Sequence, residues 1–186
     1  METKTTDAPS VWIGCLSCYN SGTLYGAWIT AEDALEEHSR EEITFKGHGT
    51  IQEYSRGGEF TACNHCGGDE WDVMDESNLP GNGWSVRRFY EEAEHLADLD
   101  GDTLEALQVL GGFMVTSTLP ELIAYHEENY SGQWDSFQDF AEHFADETGQ
   151  FDEVPKHVAH YIDWEAYARD LSFDYMYEGG HVWRSC

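Results

Sequence analysis

The chain has 186 residues, of which 37 are Asp or Glu and only 9 are Lys or Arg, for a formal net charge of -28. Such a balance excludes a protein that grips nucleic acid phosphates, which takes Lys and Arg, and one that docks on an anionic membrane leaflet. A macromolecular partner should therefore be basic. Seven Trp, ten Tyr and nine Phe run through the whole sequence; rings in that number argue for a packed interior rather than an acidic disordered chain. Residues 1–6 (METKTT) contain no apolar signal core and no run approaches roughly 18 apolar residues, so a soluble, cytoplasmic protein is expected.

In chain order, residues 11–16 read as a short apolar strand, residues 19–22 as a turn, and residues 23–29 as a second strand. Thr30 and Asp33 are spaced as a capping box that opens a helix through Glu37. Residues 43–45 and 70–74 are further strand candidates, with a Gly-rich loop between them. From Pro80 onward helices take over. Ser85 is placed to cap a helix through Asp98 that carries Phe89, Ala93 and Leu96 on one face. Asp102-Thr103 starts another, with Leu104, Leu107 and Leu110. Thr118 and Glu121, with Pro120 in the first turn, open a third. Ser136 and Asp139 cap a helix ending at Gly149, and Phe137, Phe140 and Phe144 form its apolar stripe. A helix follows Asp163, carrying Trp164, Tyr167, Ala168 and Leu171, and residues 181–183 could end the chain as a strand. The resulting class is α+β: mixed α/β at the N-terminus, mainly helical in the middle and C-terminal parts.

Acidity rises along the chain. Residues 1–60 hold 10 acids and 4 bases, residues 61–120 hold 12 and 2, and residues 121–186 hold 15 and 3. On the predicted helices Glu91, Glu94 and Asp98 fall opposite the Phe89 face, and Asp139, Glu142 and Asp146 fall opposite the Phe140 face. Carboxylates three or four residues apart on a helix lie about 5–6 Å from one another and repel by a few tenths of a kcal/mol per pair. Rows of them approximate the phosphate ladder of DNA, which shows one charge per roughly 1.7 Å of axis. Solvated acidic faces and halophilic adaptation give the same composition, but neither accounts for the gradient.

Four of the five cysteines form two CxxC pairs, Cys15/Cys18 and Cys63/Cys66, the second followed by Gly67-Gly68. Two such pairs brought together would make a four-thiolate site for a structural Zn²⁺. Free buried thiols and a redox pair are the alternatives. Cys15 and Cys18 would point to opposite faces of a regular strand, so the site needs a bulge or a strand end there. His65 is an exposed loop residue or a substitute ligand, and Cys186 a frayed terminal thiol. Asp98 to Asp102 suggests a calcium loop, but Thr103 and Val109 stand where an EF-hand wants Gly and Glu. No HExxH, GxSxG, P-loop or Rossmann motif is present, and no enzyme is expected.

Two blocks carry a resemblance. Trp12-Ile-Gly14, followed by Tyr19-Asn-Ser-Gly22-Thr-Leu-Tyr-Gly26-Ala-Trp28-Ile29, resembles the opening of the ArdA antirestriction family. Tyr130-Ser-Gly132, Ser136, Phe140-Ala141, Glu147, Gly149 and the run from Tyr161 to Leu171 resemble its C-terminal half. The middle, residues 50–117, is similar mainly in acidity and helical content. The resemblance implies a product of phages, plasmids and other mobile elements that protects incoming DNA from type I restriction-modification enzymes. It implies an elongated homodimer of three small subdomains whose carboxylates imitate bent B-form DNA in the groove of the methyltransferase core. The subdomains would be residues 1–79, 80–118 and 119–186.

On this reading the DNA-like surface consists of Glu91, Glu94, Asp98, Asp102, Glu105, Glu121, Glu127, Glu128, Asp135, Asp139, Glu142, Asp146, Glu147, Asp152 and Glu153. The antirestriction motif, associated with dimer contact, is Tyr161, Ile162, Asp163, Trp164, Glu165, Tyr167, Arg169, Asp170 and Leu171. Relatives commonly lack the cysteines, which would make a metal on Cys15, Cys18, Cys63 and Cys66 a local stabiliser. The rival readings are a zinc-stabilised acidic adaptor or transcriptional regulator with a basic protein partner, and a carboxylate metal-dependent hydrolase.

Overall fold

The structure is a computed structural model and describes residues 8–37, 42–44, 51–55, 59–60, 62–114 and 118–185. It contains both helices and strands, as the α+β expectation requires. The chain divides into two compact units, residues 1–119 and 120–186.

In the first unit β1 (Ser10–Cys15) is followed by α1 (Leu16–Asn20), β2 (Gly26–Thr30) and α2 (Ala31–Glu37). β3 (Glu42–Thr44), β4 (Ile51–Ser55) and β5 (Glu59–Phe60) form one antiparallel sheet, and β6 (Trp71–Ser77) returns to the first. That first sheet has the order β2-β1-β6, with Val11 opposite Ile29 and Trp12 opposite Trp28. Val11, Ile13 and Cys15 alternate inward and are buried, as a strand with one core face requires. The Trp12 ring packs close against Gly14 and Gly26 on the other face. A Cβ at Gly14 would overlap that ring, and one at Gly26 the Ile13 carbonyl, so the Trp12/Gly14/Gly26 pattern is a close approach only glycine permits.

The local capping signals hold. Thr30 Oγ1 accepts from the Asp33 N–H at 3.0 Å while the Thr30 N–H donates to Asp33 Oδ2 at 3.1 Å, a reciprocal capping box at the start of α2. Ser85 Oγ accepts from the Arg88 N–H and opens α3 (Val86–Asp98), whose Phe89, Ala93 and Leu96 are buried. α4 (Gly101–Phe113) begins two residues earlier than the sequence suggested. Its cap is Asp100, whose carboxylate accepts from the Thr103 N–H at 2.9 Å and the Thr103 hydroxyl at 2.8 Å. These bonds, the backbone one first, hold the Asp100 carboxyl below the usual carboxylate range.

The N-terminal elements need correction in three places. β1 stops at Cys15, and residues 16–20 are a helical turn rather than strand and turn. β2 begins at Gly26, three residues later than expected. β4 and β5 carry no signal strong enough to have been read. The expectation of a strand at 43–45 is met by β3 as far as Thr44; Phe45 lies outside the described residues, as does Cys186.

The second unit takes nearly all of α5 (Leu119–Asn129), then β7 (Tyr130–Gln133), α6 (Phe137–Glu147), α7 (Lys156–Ala159), α8 (Trp164–Leu171), β8 (Tyr175–Glu178) and β9 (His181–Arg184). Ser136 and Asp139 cap α6 as expected, with the Asp139 N–H on Ser136 Oγ at 3.1 Å. Phe140 is buried among Trp134, Phe137, Phe144 and Tyr175. The C-terminal strand at residues 181–183 is present as β9, but it is the centre of an antiparallel sheet of order β7-β9-β8, two of whose strands the sequence reading missed. Beneath that sheet Trp183 donates its indole N–H to His126 Nδ1 at 3.3 Å, and Tyr130 Oη lies 2.8 Å from His181 Nδ1. Among the described residues no helix is long and apolar enough to cross a membrane.

Candidate functional site: acidic helix faces and a cysteine cluster

Amphipathic helices present the carboxylates. On α3, Glu91, Glu94 and Asp98 are exposed while Phe89, Ala93 and Leu96 are buried, and on α4 Asp102 and Glu105 are exposed beside buried Leu104, Ala106 and Leu107. In the second unit Glu121, Glu127 and Glu128 are exposed on α5. Asp139, Asp146 and Glu147 are exposed on α6, and Asp135, Asp152 and Glu153 are exposed in the flanking loops. Glu142 is half-buried and accepts from Gln138 Nε2 at 2.7 Å. Each helix thus fixes a row of anions by burying its opposite face, which removes the freedom that long side chains on a loop would keep.

Some of these acids have local duties. Asp139 accepts from the Ser136 hydroxyl at 2.6 Å and, with Gln133, Trp134, Asp135, Tyr177 and Gly180, lines an open cleft. Glu91 pairs with Arg87 at 2.8 Å in full solvent, and Glu147 lies 3.4 Å from His143. The acid that the sequence reading passed over is Glu92. Next to Glu91 in the same run, it turns inward, meets Arg88 at 3.3 Å and accepts from the Leu119 N–H at 3.3 Å. Arg88 in turn lies over the Trp84 ring at 4.1 Å. The 3.6-residue period was the available signal, since Glu92 shares the face of Phe89 and Leu96.

The segment from Tyr161 to Leu171 is a half-covered aromatic face. Asp163 caps α8 through the Ala166 N–H, Trp164 meets Phe151 edge-on at 5.4 Å, and Tyr167 donates its hydroxyl to Gln150 Oε1 at 2.9 Å. Burial raises the Tyr167 phenol above its ordinary pKa. Ile162 and Leu171 are half-buried, Glu165 is exposed, and Arg169 lies 3.4 Å from Asp170. Ala168 is buried, whereas Tyr161 is 78% exposed with its ring tilted against His160 at 3.9 Å, and Phe173, which the sequence reading did not single out, is 81% exposed.

The two CxxC pairs meet. β1 delivers Cys15 at its last position and α1 carries Cys18 one helical turn later, so the strand-to-helix switch turns both sulfurs to one side. Cys15 Sγ lies 3.5 Å from Cys66 Sγ and Cys18 Sγ lies 3.8 Å from Cys63 Sγ. All four sulfurs fall within 4.8 Å of one another and are unbonded, a group that could hold a metal ion. Burial pushes the Cys15 and Cys18 thiols up, while the Gly68 N–H on its sulfur lowers exposed Cys66 to about 7. His65 is not one of the group: it is exposed, with its ring stacked on Tyr25 at 5.6 Å.

No curated protein sequence matches the chain. Residues 11–182 match the model of the antirestriction protein (ArdA) family. That span takes in the β1–β2 glycine packing, the acidic helices α3 to α6 and the α8 aromatic face, so likeness to the family is not confined to one motif. Such proteins oppose restriction as inhibitors rather than enzymes, and on a match of this extent the chain belongs to the antirestriction protein (ArdA) family.

Proposed function

We propose that this protein inhibits type I restriction-modification enzymes as a mimic of B-form DNA, occupying the DNA groove of the methyltransferase core in the cytoplasm. The observation that carries the reading is the division of α3 and α6 into a buried aromatic face and an exposed acidic one, in a chain with a net charge of -28. A groove built to hold phosphates presents Lys and Arg, and fixed carboxylates take the place of the phosphates there. Each exposed ion pair contributes only about 0–1 kcal/mol, so affinity comes from many acids together: Glu91, Glu94, Asp98, Asp102 and Glu105 in the first unit, and the acids of α5, α6 and their loops in the second.

The protein acts as a homodimer on this reading. Support for that comes from Tyr161 and Phe173, two large exposed apolar side chains that flank α8 and would be covered by a second copy. Division of the chain at residues 79 and 118 into three small subdomains belongs to the same proposal. The direct experiment is cleavage of unmodified plasmid by a purified type I restriction enzyme, with this protein titrated in. Stoichiometric loss of cleavage supports the reading; undiminished cleavage at excess protein contradicts it.

A further inference from the structure

We infer that Cys15, Cys18, Cys63 and Cys66 form a closed four-thiolate site for one structural Zn²⁺, which ties the β1–α1 junction to the turn at residues 63–68. The distances suit the ion. A tetrahedron of sulfurs around Zn²⁺ at about 2.3 Å per bond has edges of about 3.8 Å. The contacts across the cluster, Cys15 to Cys66 and Cys18 to Cys63, are 3.5 and 3.8 Å between residues 51 and 45 positions apart. The donor set is all sulfur, with no carboxylate or imidazole in the group. A closed set of four soft ligands is the composition of a structural rather than a catalytic zinc centre.

The backbone around the second pair is shaped for the same purpose. The Cys63 N–H donates to the Gly68 carbonyl at 2.6 Å, the Gly67 N–H to the Cys63 carbonyl at 2.7 Å, and the Gly68 N–H to Cys66 Sγ at 3.4 Å. That last bond places a donor on a sulfur that must carry negative charge as a ligand. Gly67 sits at φ +76°, and a Cβ on Gly68 would overlap the Ser17 side chain of α1, so the turn closes against the helix that carries Cys18. Three of the four thiols are buried. A core that simply used cysteine as a small apolar residue has no reason to gather four sulfurs at one point. A metal does. The inference is independent of the inhibitory reading, because none of the four ligands is among the acids on which that reading rests.

The test uses the full chain, purified without chelator from cells supplied with zinc. Elemental analysis is expected to give one Zn²⁺ per chain, and Co²⁺ exchange the sulfur-to-metal charge-transfer and intense ligand-field bands of a tetrahedral tetrathiolate. Cys63→Ser should remove the metal. Because a buried change can also unfold the protein, Cys66→Ser, at the exposed ligand, serves as the second variant. It should retain native circular dichroism while binding Zn²⁺ roughly tenfold or more weakly. His65→Ala should leave stoichiometry unchanged. Four freely titrating thiols in a zinc-free folded protein, iron in place of zinc, disulfides between the pairs, or loss of metal in His65→Ala would each overturn the inference.

Discussion

Arg88 and Glu92, one turn apart on α3, meet at 3.3 Å with most of both side chains covered, whereas Arg87 and Glu91, their immediate neighbours, meet at 2.8 Å in open solvent. The two pairs separate the structural use of charge from the surface use. Glu92→Ala leaves the Arg88 guanidinium and the Leu119 N–H without the carboxylate they share, and is expected to cost about 1.5–3 kcal/mol. Glu91→Gln should stay within about 0.5 kcal/mol of the parent. Urea unfolding of the two variants checks the contrast.

Removing the ring at the centre of the second unit should be far more damaging than removing one at its edge. Phe140→Ala empties a site 3% exposed and closed by four other rings, at an expected cost of about 3–5 kcal/mol. Trp164→Ala removes a half-buried ring and should cost less. Thermal melts of both variants measure the difference.

Asp100 provides a pH signature. Its carboxyl is held below its ordinary value by the Thr103 bonds. A carboxyl depressed in the folded state contributes stability above its unfolded pKa of 3.8 and loses it as pH falls through the lower folded value. Asn caps a helix about as well as Asp, so Asp100→Asn isolates the charge. The stability difference between parent and variant should be full at neutral pH and vanish in strong acid, as read from urea midpoints across pH.

The proposed dimer predicts a separation of folding from association. Tyr161→Ser alters a side chain that is 78% exposed and should move stability by no more than about 0.5 kcal/mol. It should nevertheless raise the monomer fraction in sedimentation experiments at low protein concentration. A parent protein that is monomeric throughout would contradict the dimer.

Signals carried by three or four neighbouring residues were legible in the sequence. Thr30 with Asp33, Ser136 with Asp139, Ser85 and Asp163 all cap helices, because a cap is a short-range bond between a side chain and a backbone N–H. The two CxxC motifs made a joint cysteine site one reading beside free buried thiols and a redox pair, but neither the convergence of the pairs nor the strand-to-helix switch that aims Cys15 and Cys18 together was legible. Only the sheet partners of β1 show where it stops. β7 and β8, four residues each, were missed for the same reason, since pairing with β9 rather than local propensity defines them. Glu92 was hidden by composition: in an acidic run, one inward carboxylate looks like its neighbours until Arg88 and Leu119 are seen beside it.

Distributed charge sets the expected response to neutralisation. Single changes among Glu91, Glu94, Asp98, Asp146 and Glu147 to their amides should each weaken inhibition only slightly, in line with about 0–1 kcal/mol per exposed pair. Changing all five together should weaken it strongly while circular dichroism stays native. One neutral substitution that abolished inhibition in a folded protein would point to a discrete site instead.

DNA mimicry is measured most directly by displacement of a fluorescent DNA duplex from a type I methyltransferase core, titrated with this protein at two salt concentrations. DNA mimicry predicts stoichiometric displacement that weakens at the higher salt, because the same Lys and Arg side chains meet carboxylates in place of phosphates. A folded protein that leaves the duplex bound at both salt concentrations would contradict it.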